Sequence, residues 1–254
     1  MRQRILLVGT ILSATGLSAC GFVDTALTAR RTQIETRVLE PAGTFQLKNA
    51  NGSVEIQAGA ERQVRIEAEK AASSEQALNA LEVVIAGQGD HVEVFTRAPH
   101  GPWGIFGPQA RVNYRITLPA SARVDVEDTN GSVRVSGVSG SVRVRSVNGS
   151  VHVEDAASEG AAHSVNGSIH VSYSTVPPQG LHRFETTNGS VAVRLPGNAS
   201  GSFQADTVNG GISTDLPLAV QGQFGTKHLR GQLGEGGGRF EIKTVNGSVA
   251  IKKS

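Results

Sequence analysis

The sequence predicts an all-β protein, built as a stacked β-solenoid of the β-helix-like kind with Asn-Gly turns. Three observations lead to this fold class. A motif of the form Asn-Gly-Ser-Val recurs along the chain, apolar residues alternate with polar ones on both sides of it, and its spacing is regular in the second half. One strand pair cannot bury its apolar face alone, so recurring units of this kind stack on one another.

The repeated motif places Asn-Gly at seven predicted turns. Asn-Gly is the pair best able to hold two successive positive φ angles, because glycine lacks a Cβ atom and asparagine tolerates the left-handed region. Type I′ turns require those angles, and Asn-Gly between alternating apolar residues is the strongest local signal for them. The turns are Asn51-Gly52, Asn130-Gly131, Asn148-Gly149, Asn166-Gly167, Asn188-Gly189, Asn209-Gly210 and Asn246-Gly247.

The spacing of the motif distinguishes two kinds of stack. From Asn130 the motif starts at residues 130, 148, 166, 188, 209 and 246, so the intervals are 18, 18, 22, 21 and 37 residues. The longest interval spans two units, and Lys227–Gly234 is interpreted as a degenerate copy within it. Ser139-Gly140-Ser141-Val142 lies nine residues from each neighbouring start. Such a half-unit repeat favours a solenoid with one strand per side, and a stack of β-hairpins is the alternative.

The chain begins with a segment typical of a bacterial lipoprotein signal peptide, residues 1–19. It holds two arginines near its start and an apolar stretch of 13 residues, Ile5–Leu17, which is too short for a transmembrane helix. Leu17-Ser18-Ala19-Cys20 resembles the lipoprotein processing box, and this implies cleavage before Cys20, diacylglycerol on its sulfur and a further acyl chain such as palmitate on the new N-terminus. An ordinary secretory signal is the alternative. Cys20 is the only cysteine, which favours lipidation.

Removal of the signal peptide changes the charge balance. The precursor has 24 Lys and Arg against 22 Asp and Glu, and loss of Arg2 and Arg4 leaves 22 against 22. A neutral mature protein gives no general case for nucleic acid as a partner, so the predicted membrane contact is the lipid anchor. By resemblance, Gly21 after the cysteine favours the outer membrane of a bacterial cell envelope, with the protein facing the periplasm or the cell surface.

The rest of the chain is predicted to be a tether, residues 20–32, followed by one elongated β-repeat domain, residues 33–252. Residues 33–127 form its irregular half, and 128–252 hold the regular repeats. One helix is predicted at Ser73–Leu81, because a serine can cap it and its apolar residues share one face. Lys252 and Lys253 are predicted to protect a terminal edge strand. The predicted strands of the irregular half are Gln33–Leu39, Thr44–Lys48, Ser53–Gln57, Gln63–Ala68, Leu81–Ala86, His91–Thr96, Arg111–Leu118 and Arg123–Glu127.

A loop of residues 98–108 stands out by its composition. It holds the only tryptophan of the chain, Trp103, together with Phe106 and three of the nine prolines. One interpretation is a binding tip, in which Trp103 stacks on a sugar ring or on the apolar surface of a partner. The alternative is that both aromatic side chains fold back to cover an open end of the core, because the ends of solenoids need capping.

Outward-facing residues supply the main candidate binding set. In this register the fourth residue after each Asn points away from the core. Arg134, His152 and His170 hold this position, and Arg143 holds it in the half-unit copy. If successive units stack, the four form one polar ladder that can bind an acidic polysaccharide or a lipid phosphate; the alternative is a solvated strand face. Two histidines fall short of a zinc site, so neither a metal nor a cofactor is predicted.

Catalysis is not predicted. Asp125 and Glu127 lie two residues apart on one strand face, as paired carboxylates for glycoside chemistry do, but alternating charge is common on exposed strands. The sequence has no Gly-x-Ser-x-Gly nucleophile motif, no phosphate-binding loop and no Asp-rich calcium turn. The prediction is therefore a non-enzymatic protein.

Two stretches resemble a known family. Leu118-Pro119 and Val124-Asp125-Val126 precede the motif ladder, and Gly231-Gln232-Leu233-Gly234 precedes the closing run Phe240–Val249. This layout resembles the β-strand-repeat family of candidate adhesins, known as domain of unknown function 4097 and toast-rack-like, over roughly residues 33–252. The resemblance implies an extracytoplasmic β-solenoid-like domain and carries no catalytic or binding residues. It favours an adhesin-like module that contacts polysaccharide or protein; a structural or envelope-sensing lipoprotein acting through a protein partner is the alternative.

Overall fold

The computed structural model describes residues 27–59, 62–97, 110–220 and 227–254, which form 19 strands and one short helix. No helix within these ranges is both long enough and apolar enough to cross a membrane. The elements are β1 (Ala29–Asn51), β2 (Val54–Gly59), β3 (Gln63–Ala72), α1 (Glu75–Ala80), β4 (Glu82–Arg97), β5 (Ala110–Pro119), β6 (Arg123–Asn130), β7 (Val133–Ser136), β8 (Val142–Asn148), β9 (Val151–Ala156), β10 (Gly160–Asn166), β11 (Ile169–Tyr173), β12 (Leu181–Asn188), β13 (Val191–Leu195), β14 (Gly201–Asn209), β15 (Ile212–Thr214), β16 (Ala219–Val220), β17 (His228–Leu233), β18 (Gly238–Asn246) and β19 (Val249–Lys253).

Each repeat contributes one strand to each of two facing sheets, and we call such a pair of strands a rung. Before the turn at Asn130, β6 pairs with β1 and β8, all in parallel, and this defines sheet 1. After the turn, β7 pairs in parallel with β2 and β9, which defines sheet 2. The strands on either side of an Asn-Gly turn therefore belong to different sheets. The predicted solenoid with one strand per side is confirmed, and the alternative stack of hairpins is wrong.

The stack does not follow chain order at its end. In sheet 1, β18 pairs in parallel with both β12 and β14, and in sheet 2, β19 pairs in parallel with both β13 and β15. The rung of β18 and β19, which we call the inserted rung, thus lies between two others. The prediction that Lys252 and Lys253 protect a terminal edge is wrong, because both flanks of β19 are paired.

An antiparallel pair of strands covers this end of sheet 1. Strand β17 pairs antiparallel with β14, and β16 pairs antiparallel with β17. The segment Lys227–Gly234 therefore contains a reversed strand, β17, which lies between β14 and β16, and its interpretation as a degenerate copy of the repeat is wrong. It has no Asn-Gly turn that could join the ladder, and its direction opposes that of the rungs.

The first strand joins the two sheets at the other end. Residues Ala29–Val38 of β1 pair antiparallel with β3 in sheet 2, and after an irregularity between Leu39 and Thr44 the strand continues in sheet 1 beside β4 and β6. Two predicted strands are thus one bent strand, which begins inside the segment predicted as a tether. The predicted helix is confirmed as α1, where the Ser74 Oγ accepts a hydrogen bond from the Ala77 N–H at 3.1 Å.

The core lies between the sheets, where inward side chains form columns along the stack. Apolar positions on both sides of each turn, such as Val144 and Val153, are buried as their alternation predicts. One column contains Gly160, and the hydroxyl of Tyr173 occupies the space beside it, because a Cβ atom on that glycine would lie 2.9 Å from the hydroxyl oxygen. His182 follows in the same column, where its Nδ1 is 2.7 Å from the Tyr173 hydroxyl and burial lowers its pKa to about 4.

A ladder of side-chain amides runs along the Asn-Gly edge. Asn51 begins the ladder, and the Nδ2 atom of every later asparagine donates to the Oδ1 atom of the asparagine in the rung before it in the stack, at 2.7 or 2.8 Å. Amide ladders of this kind are a recognised source of stability in stacked β structures. In stack order the ladder is Asn51, Asn130, Asn148, Asn166, Asn188, Asn246 and Asn209.

The turn glycines serve a different purpose from the predicted one. Among them only Gly52 has a positive φ, 119°, and none of the seven turn asparagines has one, so the predicted type I′ geometry is wrong at all seven turns. Glycine is required instead because the backbones of successive turns nearly touch. A Cβ atom on Gly149 would lie 1.7 Å from the carbonyl oxygen of Gly131. This close approach lets the Gly149 N–H donate to the carbonyl of Asn166 in the next rung at 3.0 Å.

A buried polar column lies just inside these turns. The hydroxyls of Thr186 and Thr244 each donate to a turn-glycine carbonyl of the adjacent rung at 2.8 Å. Asp128 occupies the same column, and neither of its carboxylate oxygens has a hydrogen bond of normal geometry among the described residues. Burial raises the pKa of Asp128 to about 6, and the nearby Asn49 amide and Thr129 N–H offset only part of that rise.

The turn packing yields a stability prediction for Gly149→Ala. The added methyl group overlaps the Gly131 backbone of the preceding turn, which cannot move without breaking the ladder, so we expect the free energy of unfolding to fall by about 3 kcal/mol or more. The matched control is Gly211→Ala, because a Cβ atom there meets nothing within 4 Å. Urea unfolding followed by circular dichroism measures both, and equal losses would contradict the close-approach explanation.

The buried carboxyl yields a pH prediction for Asp128→Thr. The pKa of Asp128 in the folded state is about 6, above the ordinary 3.8. The contribution of this carboxyl to the stability of the fold is therefore fully present below pH 3.8 and is lost as the pH rises through 6. Threonine matches the neighbouring rungs and does not ionise, so we expect a gain of about 1–3 kcal/mol at neutral pH. Little gain is expected in acid. Urea unfolding at neutral pH and in acid tests this, with Ser146→Thr in the same column as control. An equal gain in stability under both conditions would contradict the raised pKa of Asp128.

Candidate functional site

The structure divides the predicted polar ladder between the two sheets. Arg134, His152 and His170 lie in register on consecutive rungs of sheet 2. Arg143 lies on the opposite face of the protein, on β8 of sheet 1, where it is in register with Asp125. The prediction of one ladder of four is wrong, because the half-unit copy precedes a strand of sheet 1 whereas the complete copies precede strands of sheet 2. Cys20, Trp103 and Phe106 lie outside the described residues.

On sheet 2 the two histidines stack. Their ring centroids are 4.9 Å apart and the ring planes are inclined by 17°. Partial burial lowers the pKa of His152, the charges of His170 and Arg134 lower it further, and Glu154 acts in the opposite direction. Arg134 forms an ion pair with Glu154. Within the described ranges no group of three or more His, Cys, Asp or Glu is arranged to hold a metal ion.

The histidine pair borders a small hollow of about 180 Å³. Ala192 follows His170 in register and is too small to continue the row of large side chains, so it forms part of the floor. Glu154, Ser172 and Arg194 add polar groups to the lining. A hollow of this volume holds a small polar group rather than a polymer.

The outer face of sheet 1 carries charges that alternate from rung to rung. The guanidinium of Arg145 donates to Glu127 at 3.0 Å, and that of Arg183 donates to Glu241 at 2.8 Å. Arg143 and Asp125 are more loosely paired, at 3.9 Å. The two carboxylates that resemble a glycosidase pair, Asp125 and Glu127, thus each face an arginine of the next rung. Opposite charges on neighbouring strands favour this register over slipped ones.

One small residue interrupts this charged face. Ala161 lies in register between Arg143 and Arg183. Its methyl group is much shorter than the arginine side chains on the two neighbouring rungs. The gap opens into a solvent-exposed groove of about 1010 Å³. Its polar lining contains four arginines, one histidine and three carboxylates, namely Arg123, Arg143, Arg145, Arg183, His163, Asp125, Glu159 and Glu185.

Two arginine side chains of the groove are accessible to solvent. Neighbouring rungs are about 4.8 Å apart, so Arg143 and Arg183 stand about 10 Å apart on either side of Ala161. The side chains of these arginines are 59% and 50% exposed, so their forks are accessible. Both Arg183 hydrogen bonds go to one oxygen of Glu241, whose pKa they lower, and this leaves other donors of the fork free. Exposed Leu181 adds an apolar contact at the rim.

Arg183, Ala161 and His163 are candidate residues that the sequence prediction missed. The signal was present in the residues five positions before each Asn, which form one column of sheet 1. In stack order that column reads Gln46, Asp125, Arg143, Ala161, Arg183, Glu241 and Gln204. The predicted ladder followed only residues after each motif copy, and all of these except Arg143 fall on the other sheet.

Comparison with known proteins gives a family match and distant structural likenesses. The sequence model of the family described as Toastrack DUF4097 matches residues 109–252. A candidate cell adhesion protein from Clostridium sporogenes is 14% identical, with 88% of this chain and 100% of that chain covered and a TM-score of 0.47. A candidate adhesin from Bacteroides fragilis is 8% identical, with 88% and 97% covered and a TM-score of 0.46.

A third likeness is weaker. A candidate lipid binding protein from Parabacteroides distasonis is 11% identical, with 87% of this chain and 96% of that chain covered and a TM-score of 0.24. No curated protein matches the chain. The relation that carries weight is thus the family match over the regular repeats.

The stacked histidines yield a prediction for His170→Ala. The change removes a neighbouring positive charge and exposes the His152 ring to water, so we expect the pKa of His152 to rise toward its ordinary value. A titration of the imidazole resonances by NMR measures the shift. The control is His163→Ala on the opposite sheet, which leaves His152 unchanged, and a fall in the His152 pKa on removing His170 would overturn this account.

Proposed function

The chain belongs to the Toastrack DUF4097 family, and from that premise we propose that it is a non-enzymatic binding module of the cell envelope that holds an acidic polysaccharide on sheet 1. The observation that carries the proposal is the groove over Ala161 between Arg143 and Arg183. A repeat fold supports this use, because it presents side chains at a fixed spacing along an extended surface.

The chemistry of the groove favours carboxylates as ligands. A guanidinium presents a planar fork of donors that matches a carboxylate in a bidentate arrangement. Arg143 is held by Asp125 only at 3.9 Å, so a ligand carboxylate closer than that competes well for it. The rung spacing of about 4.8 Å is close to the length of one sugar residue, so a polyuronate lying along the stack meets successive rungs in step. His163, beside the groove, adds a polar contact.

Binding fits the groove better than catalysis. Glycoside hydrolysis needs one carboxyl as acid and a second as base or nucleophile. Asp125 and Glu127 instead face Arg143 and Arg145 of the next rung, so each carboxylate already has an arginine partner within the protein. The open form of the groove also gives little exclusion of water.

The cellular setting of this module follows from the leader segment. We propose that cleavage before Cys20 and acylation of its sulfur hold the domain at the membrane, with the outer membrane favoured by Gly21. The anchor and the groove then have separate tasks, since the lipid sets the location and the arginines select the ligand. Trp103 and Phe106 remain candidates for a second contact with the same polymer.

A protein partner is a second candidate, and one observation favours it. Within the described residues, Ala29–Val38 of β1 pairs with β3 along one flank only. Ile34 and Val38 on this edge strand are 46% and 52% exposed. An added strand from an envelope protein can pair with such an edge through main-chain hydrogen bonds. Strand addition at this edge is the way in which the envelope-sensing alternative would engage a protein partner.

The groove proposal is tested with Arg143→Ala/Arg183→Ala and polygalacturonate as the probe. Removing both guanidinium groups leaves the carboxylates of polygalacturonate without bidentate partners, so we expect the affinity for this polymer to fall by about tenfold or more. The control is Arg134→Ala on sheet 2, which retains full binding. Titration calorimetry at low and high salt measures both variants, with dextran as the uncharged comparison. Binding of dextran equal to that of polygalacturonate, or equal losses in the two variants, would refute the proposal.

A further inference from the structure

The position of the inserted rung is an unusual feature of the stack. Strands β14 and β15 come earlier in the chain than β18 and β19, yet they lie further from β12 and β13. The chain therefore leaves a gap of one rung after β13 and later returns to fill it. In every other regular rung, the strand pair stacks directly on the one that precedes it.

The rung of β14 and β15, which lies beyond the gap, carries the residues needed to stack directly on β12 and β13. The sequence Thr-Val-Asn-Gly occurs in both rungs, as Thr207–Gly210 and Thr244–Gly247. Thr244 donates to the Gly189 carbonyl at 2.8 Å, and Thr207 donates to the Gly247 carbonyl at the same distance. The asparagine ladder continues through both rungs. Direct stacking of β14 and β15 on β12 and β13 would reproduce these same contacts with Gly189 and Asn188.

Closure of the gap would leave the inserted rung without a place in its own chain. The other flank of β14 is already covered by β17, which pairs antiparallel with it. The inserted rung carries Phe240, Ile242, Val249 and Ile251, all fully buried in the intact stack. Exposure of these side chains to water is unfavourable, so a released rung needs an acceptor outside its own chain.

The connections permit this rearrangement. The link into the inserted rung contains Gly234, Gly236 and Gly237, with φ of 62°, 73° and 89°, so it is built from residues with wide conformational freedom. Residues 196–200, which lead to β14, can span about 16 Å when extended. A step of one rung is about 5 Å and a step of two is about 10 Å. The same link therefore reaches either position.

We propose that the inserted rung, Gly238–Lys253, exchanges between two copies of this chain. Each copy offers an identical gap between β13 and β15. An exchanged rung therefore makes the same contacts as a rung that is bound within its own chain, and only the glycine link follows a different path. Exchange of an identical element between protomers is a low-cost route to a dimer. It proceeds through partial unfolding, when the gap is open and its own rung is undocked.

The proposal is tested with two single-cysteine chains refolded together. One chain carries Ala192→Cys and the other Ala250→Cys, each with Cys20→Ser, because Cys20 is the only native cysteine. Ala192 and Ala250 are partners in register on β13 and β19. After joint unfolding in urea and refolding at high concentration, a short bismaleimide links the two chains only where the inserted rung of one occupies the gap of the other. We expect a covalent dimer on a denaturing gel.

Two controls make the outcome decisive. A chain with both Ala192→Cys and Ala250→Cys, refolded when dilute, gives a link within one chain and shows that the crosslinker spans the pair. A mixture of Ala192→Cys chains with His170→Cys chains reports random collision, because β11 and β13 are neighbours in register that precede the gap. Failure of the first mixture to give a dimer while the double variant crosslinks, or equal dimer yields in the two mixtures, would overturn the proposal.

Discussion

The close approach of backbones at the Asn-Gly edge is the constraint on which the rest of the structure depends. Because Gly131 and Gly149 have no side chain, successive turns approach until main-chain hydrogen bonds form directly between them. The same spacing aligns the asparagine amides into a continuous ladder and brings the Thr186 hydroxyl onto a glycine carbonyl. One small residue in each turn thus satisfies three kinds of polar group at once and sets the register of both strands that leave the turn.

Once the register is set, each outward column is free to vary without harm to the stack. The column through Asp125 and Arg143 shows this, since charge of either sign, an amide or a methyl group all occupy it. The groove exists only because Ala161 falls between two arginines, so the binding chemistry is decided by the order of side chains within one column. The fold supplies the spacing, and the column supplies the selectivity.

The sequence predicted the solenoid because periodicity along the chain directly reflects contacts between rungs. The half-unit copy at Ser139 was informative, since it marks the second corner of its turn of the solenoid, before β8. The turn type could not be predicted, because a glycine needed for close approach and a glycine needed for positive φ look the same in sequence. The order of the last rungs could not be predicted for a related reason, since Asn209 and Asn246 lie in two identical copies of the sequence Thr-Val-Asn-Gly. The groove required knowledge of which strands share a face.

Identical turns make every rung an acceptable neighbour for every other, so the order of rungs must be specified elsewhere. The core column through Gly160 and His182 provides one such device. Tyr173 fills the space that Gly160 leaves and bonds to His182, so these three residues fit only when their rungs are adjacent. Beyond His182 the column continues with the stacked rings of Phe240 and Phe203, which are alike and specify no order. Core packing therefore determines the order of the stack up to β13. After β13, where the chain departs from sequence order, the core rings specify no order, and outward pairs such as Arg183 with Glu241 favour the observed one.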